Sequence, residues 1–326
     1  MAAMEGEHKH NDNKELEPLL VYGPPLVFQL FESNNSHKYH FLKAFSSHLP
    51  LLQFLTTQNV EPSSIRAILC NPHQKVTADV IKTLPSLSIV VTTSIGMDHI
   101  DLPECHSRGV RVVSIGAMFA DDVADMAMGL LIDVLCNISA ADRYVRNSVP
   151  SKLWNLPLLG SKLGGKRVGI VGLGRIGGEV AKRLEAFDCI IMYHSRNKKP
   201  LVSYPFYSNI VELASNSDVL VLCCALTEQT RHIVNKEVML ALGKEGVIVN
   251  VGRGALINEN ELVQCLTKGE IKGAGLDVFE NEPNVSKELI TMDNVVLSPH
   301  AAALTSDCFY DTCDFVSKSL EEFLYK

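Results

Sequence analysis

Short apolar runs rich in β-branched residues alternate along this chain with segments in which apolar residues recur every three or four positions. Runs of the first kind predict buried strands of a parallel sheet, and segments of the second kind predict amphipathic helices. In the first part of the chain, strands are predicted over residues 26–30, 67–70, 89–92 and 110–113, and helices over 37–55, 77–84 and 121–146. The alternation predicts an α/β unit with its own parallel sheet.

A second series of the same kind fills the rest of the chain. Strands are predicted over 167–171, 189–193, 218–224, 247–250, 273–278 and 294–298, and helices over 178–187, 236–242 and 260–268. Six strands are the content of one complete doubly wound nucleotide-binding domain. A final helix over 301–326 is predicted to return to the first domain. We therefore expect a disordered tail over 1–22, a first domain over 23–117 plus 301–326, and a nucleotide-binding domain over 118–300.

The turn after the strand 167–171 carries a G-x-G-x-x-G pattern and leads directly into a predicted helix. Its residues are Gly172, Leu173, Gly174, Arg175, Ile176 and Gly177. One glycine makes the tight turn, one lets the backbone approach a pyrophosphate, and one lets the helix pack closely on the strand. The pyrophosphate then binds N–H groups at the helix N-terminus. The pattern alone is weak evidence, but this strand–turn–helix context predicts a dinucleotide site.

The end of the following strand indicates which dinucleotide binds. An NAD site places a carboxylate about 20 residues beyond the glycines, where it accepts hydrogen bonds from the ribose 2′-hydroxyl. Here that position reads Ser195, Arg196 and Asn197, followed by two lysines and no acid. The basic groups would attract a 2′-phosphate, which a carboxylate would repel. The alternative is a solvated basic loop, but we interpret the segment as an NADP(H) site.

Composition narrows the class of protein. The 326 residues are 46% hydrophobic and 21% charged, as in ordinary globular proteins, and suggest two domains. A net charge of −7 argues against general binding to nucleic acid or to anionic membranes, and no apolar run reaches the length of a membrane span. The nine cysteines lack metal-ligand spacing, so we predict no metal site and expect reduced thiols in a cytoplasmic protein.

Polar residues at the carboxyl ends of the later strands are the candidates for chemistry, because such ends line the ligand crevice of open α/β sheets. Arg253 follows the strand 247–250, and its planar fork suits a carboxylate or an α-keto acid; a surface arginine is the alternative. His300 follows the last strand and is a natural acid near neutral pH. Glu282 could orient its ring, with Glu280 as a competitor. Asp277 could receive a nicotinamide amide or simply cap its strand.

Three motifs around these residues follow the glycine turn in order and spacing: 250–254, 277–283 and 298–300. Together the four motifs resemble the D-isomer-specific 2-hydroxyacid dehydrogenase family, and within it the glyoxylate/hydroxypyruvate and hydroxyphenylpyruvate reductases of plants. The resemblance runs from about residue 24 to the end of the chain. It implies a flavodoxin-like substrate domain, a Rossmann NADP-binding domain and small 2-oxo acid substrates. It also implies a homodimer whose two domains close on the substrate.

The resemblance assigns roles to individual residues. It makes His300 the general acid, pairs it with Glu282, and lets Arg253 bind the substrate carboxylate and carbonyl. It assigns the backbone N–H groups of Ile95 and Gly96 to the substrate carboxylate as well. Leu173 to Ile176 match the pyrophosphate turn, Ser195 to Asn197 the 2′-phosphate site, Thr227 and Thr230 a secondary cofactor contact, and Val251, Gly252 and Asp277 the nicotinamide end.

Two other functions compete with a reductase of hydroxypyruvate and glyoxylate. A hydroxyphenylpyruvate reductase would use the same chemistry with a bulkier pocket, and the residues alone do not specify pocket size. A binding protein that senses NADP(H) without turnover belongs to another class. The intact set of Arg253, Glu282 and His300 argues against such a sensor.

Overall fold

A computed structural model describes residues 16–24, 28–116, 118–147 and 159–325 of the chain. The chain divides into two compact units: unit 1 is Met1–Ile115 with Tyr310–Lys326, and unit 2 is Gly116–Phe309. The domain boundaries expected from the sequence lie near these divisions and stay predictions. The segment 148–158, which holds Trp154, lies outside the described residues.

Unit 1 contains a five-stranded parallel sheet with the strand order β2-β1-β3-β4-β5. This is the flavodoxin-like order, so the expected architecture of the first domain is confirmed. The strands are β1 Glu17–Val21, β2 Tyr39–Lys43, β3 Ala67–Cys70, β4 Ile89–Thr92 and β5 Arg111–Ser114. The helices are α1 Phe28–Asn35, α2 Leu51–Thr57, α3 Ala78–Thr83 and α4 Leu102–Ser107, with most of α12 Ser306–Leu324.

Two central strands of this sheet are buried along their whole length. Every residue of β3 and β4 is buried, as expected for parallel strands covered on both faces. This is why their continuous apolar runs were recognisable in the sequence. The predictions over 67–70, 89–92 and 77–84 are confirmed.

The beginning of unit 1 differs from the sequence-based expectation. Glu17–Val21 forms β1, which pairs with both β2 and β3, so the prediction of a disordered tail is wrong for these residues. Its buried core of Leu19, Leu20 and Val21 is too short to stand out beside the polar residues that precede it. The predicted strand 26–30 is also wrong, because Phe28 begins helix α1; residues 26 and 27 lie outside the described part.

The predicted helix over 37–55 is instead strand β2, a short 3-10 turn and helix α2. Its apparent helical spacing came from Phe41 and Phe45, which pack with other aromatic rings around Phe28 rather than along one helix. Tyr39 stacks on Phe31 in the same cluster. Tertiary packing of aromatic residues therefore overrode the local pattern.

Helix α12 is confirmed as the last element, and its end is held by side chains of unit 1. Arg66 donates from both terminal nitrogens to the carbonyl of Leu324, at 3.4 and 3.5 Å. Lys38 forms an ion pair of 2.5 Å with Glu321. The helix thus ends on a guanidinium that satisfies a carbonyl with no partner inside the helix.

Unit 2 contains a seven-stranded parallel sheet in the order β12-β11-β10-β9-β6-β7-β8. Its strands are β6 Arg167–Val171, β7 Ile190–His194, β8 Phe206–Tyr207, β9 Val219–Leu222, β10 Val247–Asn250, β11 Gly273–Leu276 and β12 Val295–Leu297. From β6 the order reads as the doubly wound arrangement of a Rossmann domain with one further strand. The expected fold class is confirmed; the two-residue strand β8 was not predicted.

The helices of unit 2 are α5 Ala120–Cys136, α6 Ile138–Asn147, α7 Arg175–Glu185, α8 Ile210–Ser215, α9 Lys236–Leu242, α10 Glu259–Thr267 and α11 Lys287–Thr291. The single helix predicted over 121–146 is two helices, because Asn137 adopts a left-handed conformation with φ +57°. Asparagine tolerates that conformation better than most residues. Asp133 accepts a hydrogen bond of 2.8 Å from the N–H of Ser139 and so caps the start of α6.

Helix α5 packs closely on β11 because that strand offers glycines. A Cβ at Gly273 would lie 2.9 Å from Val134, and one at Gly275 would lie 3.0 Å from Leu130. Within the described residues, no single helix is long and apolar enough to cross a membrane. Helices α5 and α6 together have that length and composition, but they are bent by 59° relative to each other.

Candidate active site

The loops of unit 2 that carry the predicted site leave the sheet at a common level. One row of paired residues joins the last positions of six strands. It contains His194, Val171, Leu222, Asn250, Leu276 and Leu297. Everything that follows these residues therefore emerges at one edge of the sheet, which is where ligands bind in this architecture.

The glycine turn after β6 has the geometry that a dinucleotide needs. Gly172 has φ +98°, and a Cβ there would lie 2.6 Å from the backbone nitrogen of Cys224. A Cβ at Gly177 would lie 2.3 Å from the carbonyl oxygen of Gly172. At Gly174, in contrast, a Cβ would meet no atom within 4 Å, and α7 starts there without a side-chain cap. Gly172 and Gly177 serve packing, while Gly174 leaves space and N–H groups for an anion.

The neighbouring loop after β7 lies beside this turn. The N–H of Gly172 donates to the carbonyl of His194 at 2.8 Å. Beyond it, Ser195 donates to the carbonyl of Asn197 at 2.7 Å, and Arg196 and Lys198 are exposed. The loop carries basic side chains and no carboxylate, a composition that suits a 2′-phosphate. A contact of Ser195, Arg196 or Asn197 with that phosphate stays a prediction.

The loop after β9 contains Thr230, for which a cofactor contact was predicted. Its hydroxyl donates to the carbonyl of Ala225 at 2.8 Å and accepts from the N–H of Thr227 at 2.7 Å. Both hydrogen bonds join residues of the same loop. A contact of Thr230 with a cofactor stays a prediction.

Arg253 is presented by a turn that Asn250 organises. Asn250 is 1% exposed; its amide nitrogen donates to the carbonyl of Arg253 at 2.9 Å, and its amide oxygen accepts from Gly252 N–H at 3.0 Å. Arg253 Nη1 donates to the carbonyl of Gly252 at 2.8 Å, which folds the half-buried side chain back over its turn. Val251 is buried in the same turn. This role of Asn250 was not predicted, although a polar residue at the end of the apolar strand Val247–Asn250 was the feature that could have indicated it.

Asp277 holds the turn that carries His300. It is 1% exposed and accepts from the hydroxyl of Ser298 at 2.6 Å and from the N–H groups of Ala301 and Ala302 at 2.8 and 3.1 Å. Its own carbonyl accepts from the N–H of His300 at 2.7 Å. These bonds hold His300 at φ +55°, a conformation that a non-glycine residue adopts only at a cost. A nicotinamide contact of Asp277 stays a prediction.

His300 and Glu282 are brought together as expected. Nδ1 of His300 lies 2.8 Å from Oε2 of Glu282, and the N–H of Phe279 donates to Oε1 of Glu282 at 3.0 Å. Because an ionised carboxylate only accepts hydrogen bonds, Nδ1 carries a proton, and proton exchange with a ligand falls to Nε2. Glu280 does not compete for this ring, since it pairs with His232 at 2.6 Å.

The remaining predicted substrate contacts lie in unit 1. Ile95 and Gly96 follow β4, and the buried hydroxyl of Ser94 donates to the carbonyl of Gly96 at 2.8 Å. This bond shapes a tight turn directly after the strand. The assignment of its N–H groups to a substrate stays a prediction.

Comparison with known proteins agrees with this geometry. Residues 128–302 match the NAD-binding domain of the D-isomer-specific 2-hydroxyacid dehydrogenases. A glyoxylate/hydroxypyruvate reductase of Arabidopsis thaliana is 55% identical over 261 residues, which are 80% of either chain. A hydroxyphenylpyruvate reductase of Plectranthus scutellarioides is 48% identical over 264 residues, 80% of this chain and 83% of the relative.

Among solved structures, the NADPH-dependent glyoxylate/hydroxypyruvate reductase of Sinorhizobium meliloti, in complex with NADP and malonate, superposes with a TM-score of 0.83. It is 31% identical, and the match covers 94% of this chain and 93% of that one. The fold, the motifs and these likenesses agree with one another. The chain belongs to the D-isomer-specific 2-hydroxyacid dehydrogenase family.

Proposed function

We propose that this protein reduces small 2-oxo acids, with hydroxypyruvate and glyoxylate first, to D-2-hydroxy acids with NADPH. The observation that carries the proposal is the pair of His300 and Glu282, 2.8 Å apart at the sheet edge that also bears the dinucleotide turn. A proton donor beside a hydride-donor site is what carbonyl reduction requires. The reductases of Arabidopsis thaliana and Sinorhizobium meliloti, both similar to this chain, add support.

In this mechanism the protein supplies charge, orientation and one proton. Arg253 binds the substrate carboxylate and polarises the carbonyl, together with the N–H groups of Ile95 and Gly96. NADPH, when bound, is the source of the hydride that reaches the carbonyl carbon. His300 gives the proton from Nε2 to the carbonyl oxygen, so that one hydride and one proton complete the alcohol. Glu282 keeps the imidazole ring oriented until then, through its contact with Nδ1 of His300.

The cofactor is held by groups of unit 2. The turn from Gly172 to Gly177 takes the pyrophosphate, with Leu173, Arg175 and Ile176 between its glycines. Ser195, Arg196 and Asn197 take the 2′-phosphate, and Thr230 makes a secondary contact. Val251, Gly252 and Asp277 border the nicotinamide. The open space at Gly174 and the exposed Arg196 support this arrangement.

A hydroxyphenylpyruvate reductase is the second candidate, favoured by the 48% identity to such an enzyme from Plectranthus scutellarioides. The test is kcat/KM for hydroxypyruvate, glyoxylate and hydroxyphenylpyruvate, each with NADPH and with NADH. We expect the two small acids with NADPH to be preferred. A higher kcat/KM for hydroxyphenylpyruvate would establish the second candidate instead.

Replacing His300 separates an enzyme from a protein that only senses NADP(H). His300→Gln should retain NADPH binding, measured by nucleotide fluorescence, and lose roughly 10²- to 10⁴-fold in kcat, the usual contribution of a general acid. His106→Gln, at an exposed position of α4, is the matched control and should retain full activity. If wild-type protein binds NADPH and reduces no 2-oxo acid, the enzyme proposal fails.

We also propose a cytoplasmic homodimer. All nine cysteines are free thiols in the structure, which suits a reducing compartment. On α6, Ile138 and Val145 are more than half exposed, which suits a surface covered by a second copy. Sedimentation tests the assembly, and a particle with the mass of one chain would contradict it.

A further inference from the structure

Unit 2 contains a second pair of a histidine and a glutamate, which the mechanism above does not use. Nε2 of His232 lies 2.6 Å from Oε1 of Glu280, and Nη1 of Arg231 lies 3.7 Å from the same oxygen. The side chain of Glu280 is 17% exposed and that of His232 is 34% exposed. Because the carboxylate accepts, Nε2 of His232 carries a proton.

The backbone of His232 contacts a different loop from its side chain. His232 has φ +52°, and its N–H donates to the carbonyl of Ala255 at 2.8 Å. Two residues later, Val234 N–H donates to the carbonyl of Leu256 at 3.0 Å. Ala255 and Leu256 belong to the short helical turn that directly follows Arg253. The segment of His232 is therefore bonded to the turn that presents the proposed substrate-binding arginine.

Glu280 in turn belongs to the loop that carries Glu282. Its N–H donates to a carboxylate oxygen of Glu259 at 3.0 Å, which anchors it from the start of α10. The preceding residue, Phe279, donates its N–H to Glu282. Gly254 packs directly on the peptide between Phe279 and Glu280. A continuous set of contacts thus leads from His232 through Glu280 and Phe279 to the carboxylate that faces His300.

We propose that His232 is a positioning residue, acting through Glu280, that fixes the Glu282 carboxylate against His300 and the Arg253 turn beside it. The proposal rests on the proposed function for its kinetic consequence. A pair this exposed to solvent adds little to stability, because solvent screens it. Its effect is geometric, and displacement of reacting groups by a fraction of an ångström lowers turnover more than binding.

The test compares three variants. His232→Gly removes the ring without strain at φ +52°. His232→Gln restores an amide N–H donor near the position of Nε2. Asp188→Gly is the matched control, since Asp188 is an exposed residue of unit 2 at φ +55°, outside the cluster. For each, kcat and KM with NADPH and hydroxypyruvate, the midpoint of thermal unfolding, and hydrogen exchange at the Phe279 amide are measured.

We expect His232→Gly to lower kcat about tenfold, with the KM for NADPH changed less than about twofold. The Phe279 amide should exchange faster, and His232→Gln should restore most of both properties. Unchanged kcat and unchanged exchange in His232→Gly would overturn the proposal, and so would a glutamine variant as impaired as the glycine variant. The exchange measurement needs no substrate. It decides the positioning role even if the wild-type protein reduces no 2-oxo acid and the proposed function fails.

Discussion

Replacing Gly254 by alanine should separate the two loops on which the proposed chemistry depends. A Cβ at Gly254 would lie 1.8 Å from the carbonyl carbon of Phe279, 1.9 Å from its oxygen and 2.3 Å from the nitrogen of Glu280. All three are backbone atoms, so no side-chain rotation relieves the overlap. Carbon atoms in contact prefer about 3.5–4.0 Å. The turn of Arg253 and the loop of Glu282 must therefore move apart by more than about 1 Å.

The size of that displacement sets the expected loss. A misplacement of about 1 Å in a catalytic arrangement can cost about 10²-fold in rate. We expect kcat/KM of Gly254→Ala to fall about 10²-fold and its unfolding free energy to fall by about 1–3 kcal/mol, as in overpacked cores. NADPH should still bind, because the turn from Gly172 to Gly177 is not displaced. Steady-state turnover, nucleotide fluorescence and urea unfolding measure the three quantities.

Gly129→Ala is the control for this experiment. Gly129 is exposed within α5, and a Cβ there would meet no atom within 4 Å. Alanine is a better helix former, so the control should gain about 0.5–1 kcal/mol and keep full activity. If Gly254→Ala retained kcat/KM within about threefold of wild type, close contact between the two loops would not be required, and the argument from geometry would be wrong.

Two further predictions concern cofactor choice and alkaline stability. Arg196→Asp should weaken NADPH binding by at least about tenfold, because it removes a charged hydrogen bond worth roughly 1.5–3 kcal/mol. It should also shift the preference in kcat/KM towards NADH. An unchanged preference would mean that the 2′-phosphate is bound elsewhere. Burial raises the pKa of Cys70 from 9.0 to about 12, and burial with a hydrogen bond to Glu270 raises the pKa of Cys265 from 9.0 to about 11. Because both pKa values are raised in the folded state, the thiols contribute their full stabilisation below pH 9, and this contribution is lost as the pH rises towards the folded-state pKa values. At pH 10, each thiol should lower the free energy of unfolding, measured in urea, by about 1.4 kcal/mol. Cys265→Ala should remove that part of the decline between pH 8 and pH 10, and an equal decline in both proteins would refute the assignment.

The parts of the fold that were predictable are those in which burial on both faces makes the sequence continuously apolar. Strands β3, β4 and β10 are of this kind, and their first and last residues were predicted correctly. The strands β1 and β8 were missed. The buried part of β1 is only three apolar residues long and β8 has only two residues, and runs this short show no periodic pattern. The break at Asn137 depends on one residue in the left-handed conformation and on a local cap from Asp133, which the helical spacing of apolar residues does not show.

For the site, local motifs in the sequence identified the side chains, but not the hydrogen bonds that position them. His300 and Glu282 lie together as expected because each closes a strand or loop at the same edge of the sheet. The bonds from Asp277 to the turn of His300, and the pairing of Glu280 with His232, join residues more than twenty positions apart. A single sequence shows the local motifs that contain some of these residues, but not which positions pair over such separations.

Because the last residues of six strands pair in one row, the length of each strand determines where its site loop begins. A one-residue slip of β10 or β11 would carry its loop about 3.3 Å along the strand axis and turn the strand's side chains to the opposite face. The loops themselves begin beyond that row and are free of this restriction. Substrate and cofactor preference can therefore change by exchange of whole loops, such as the one from Ser195 to Asn197, without a change in the register of the strands beneath them.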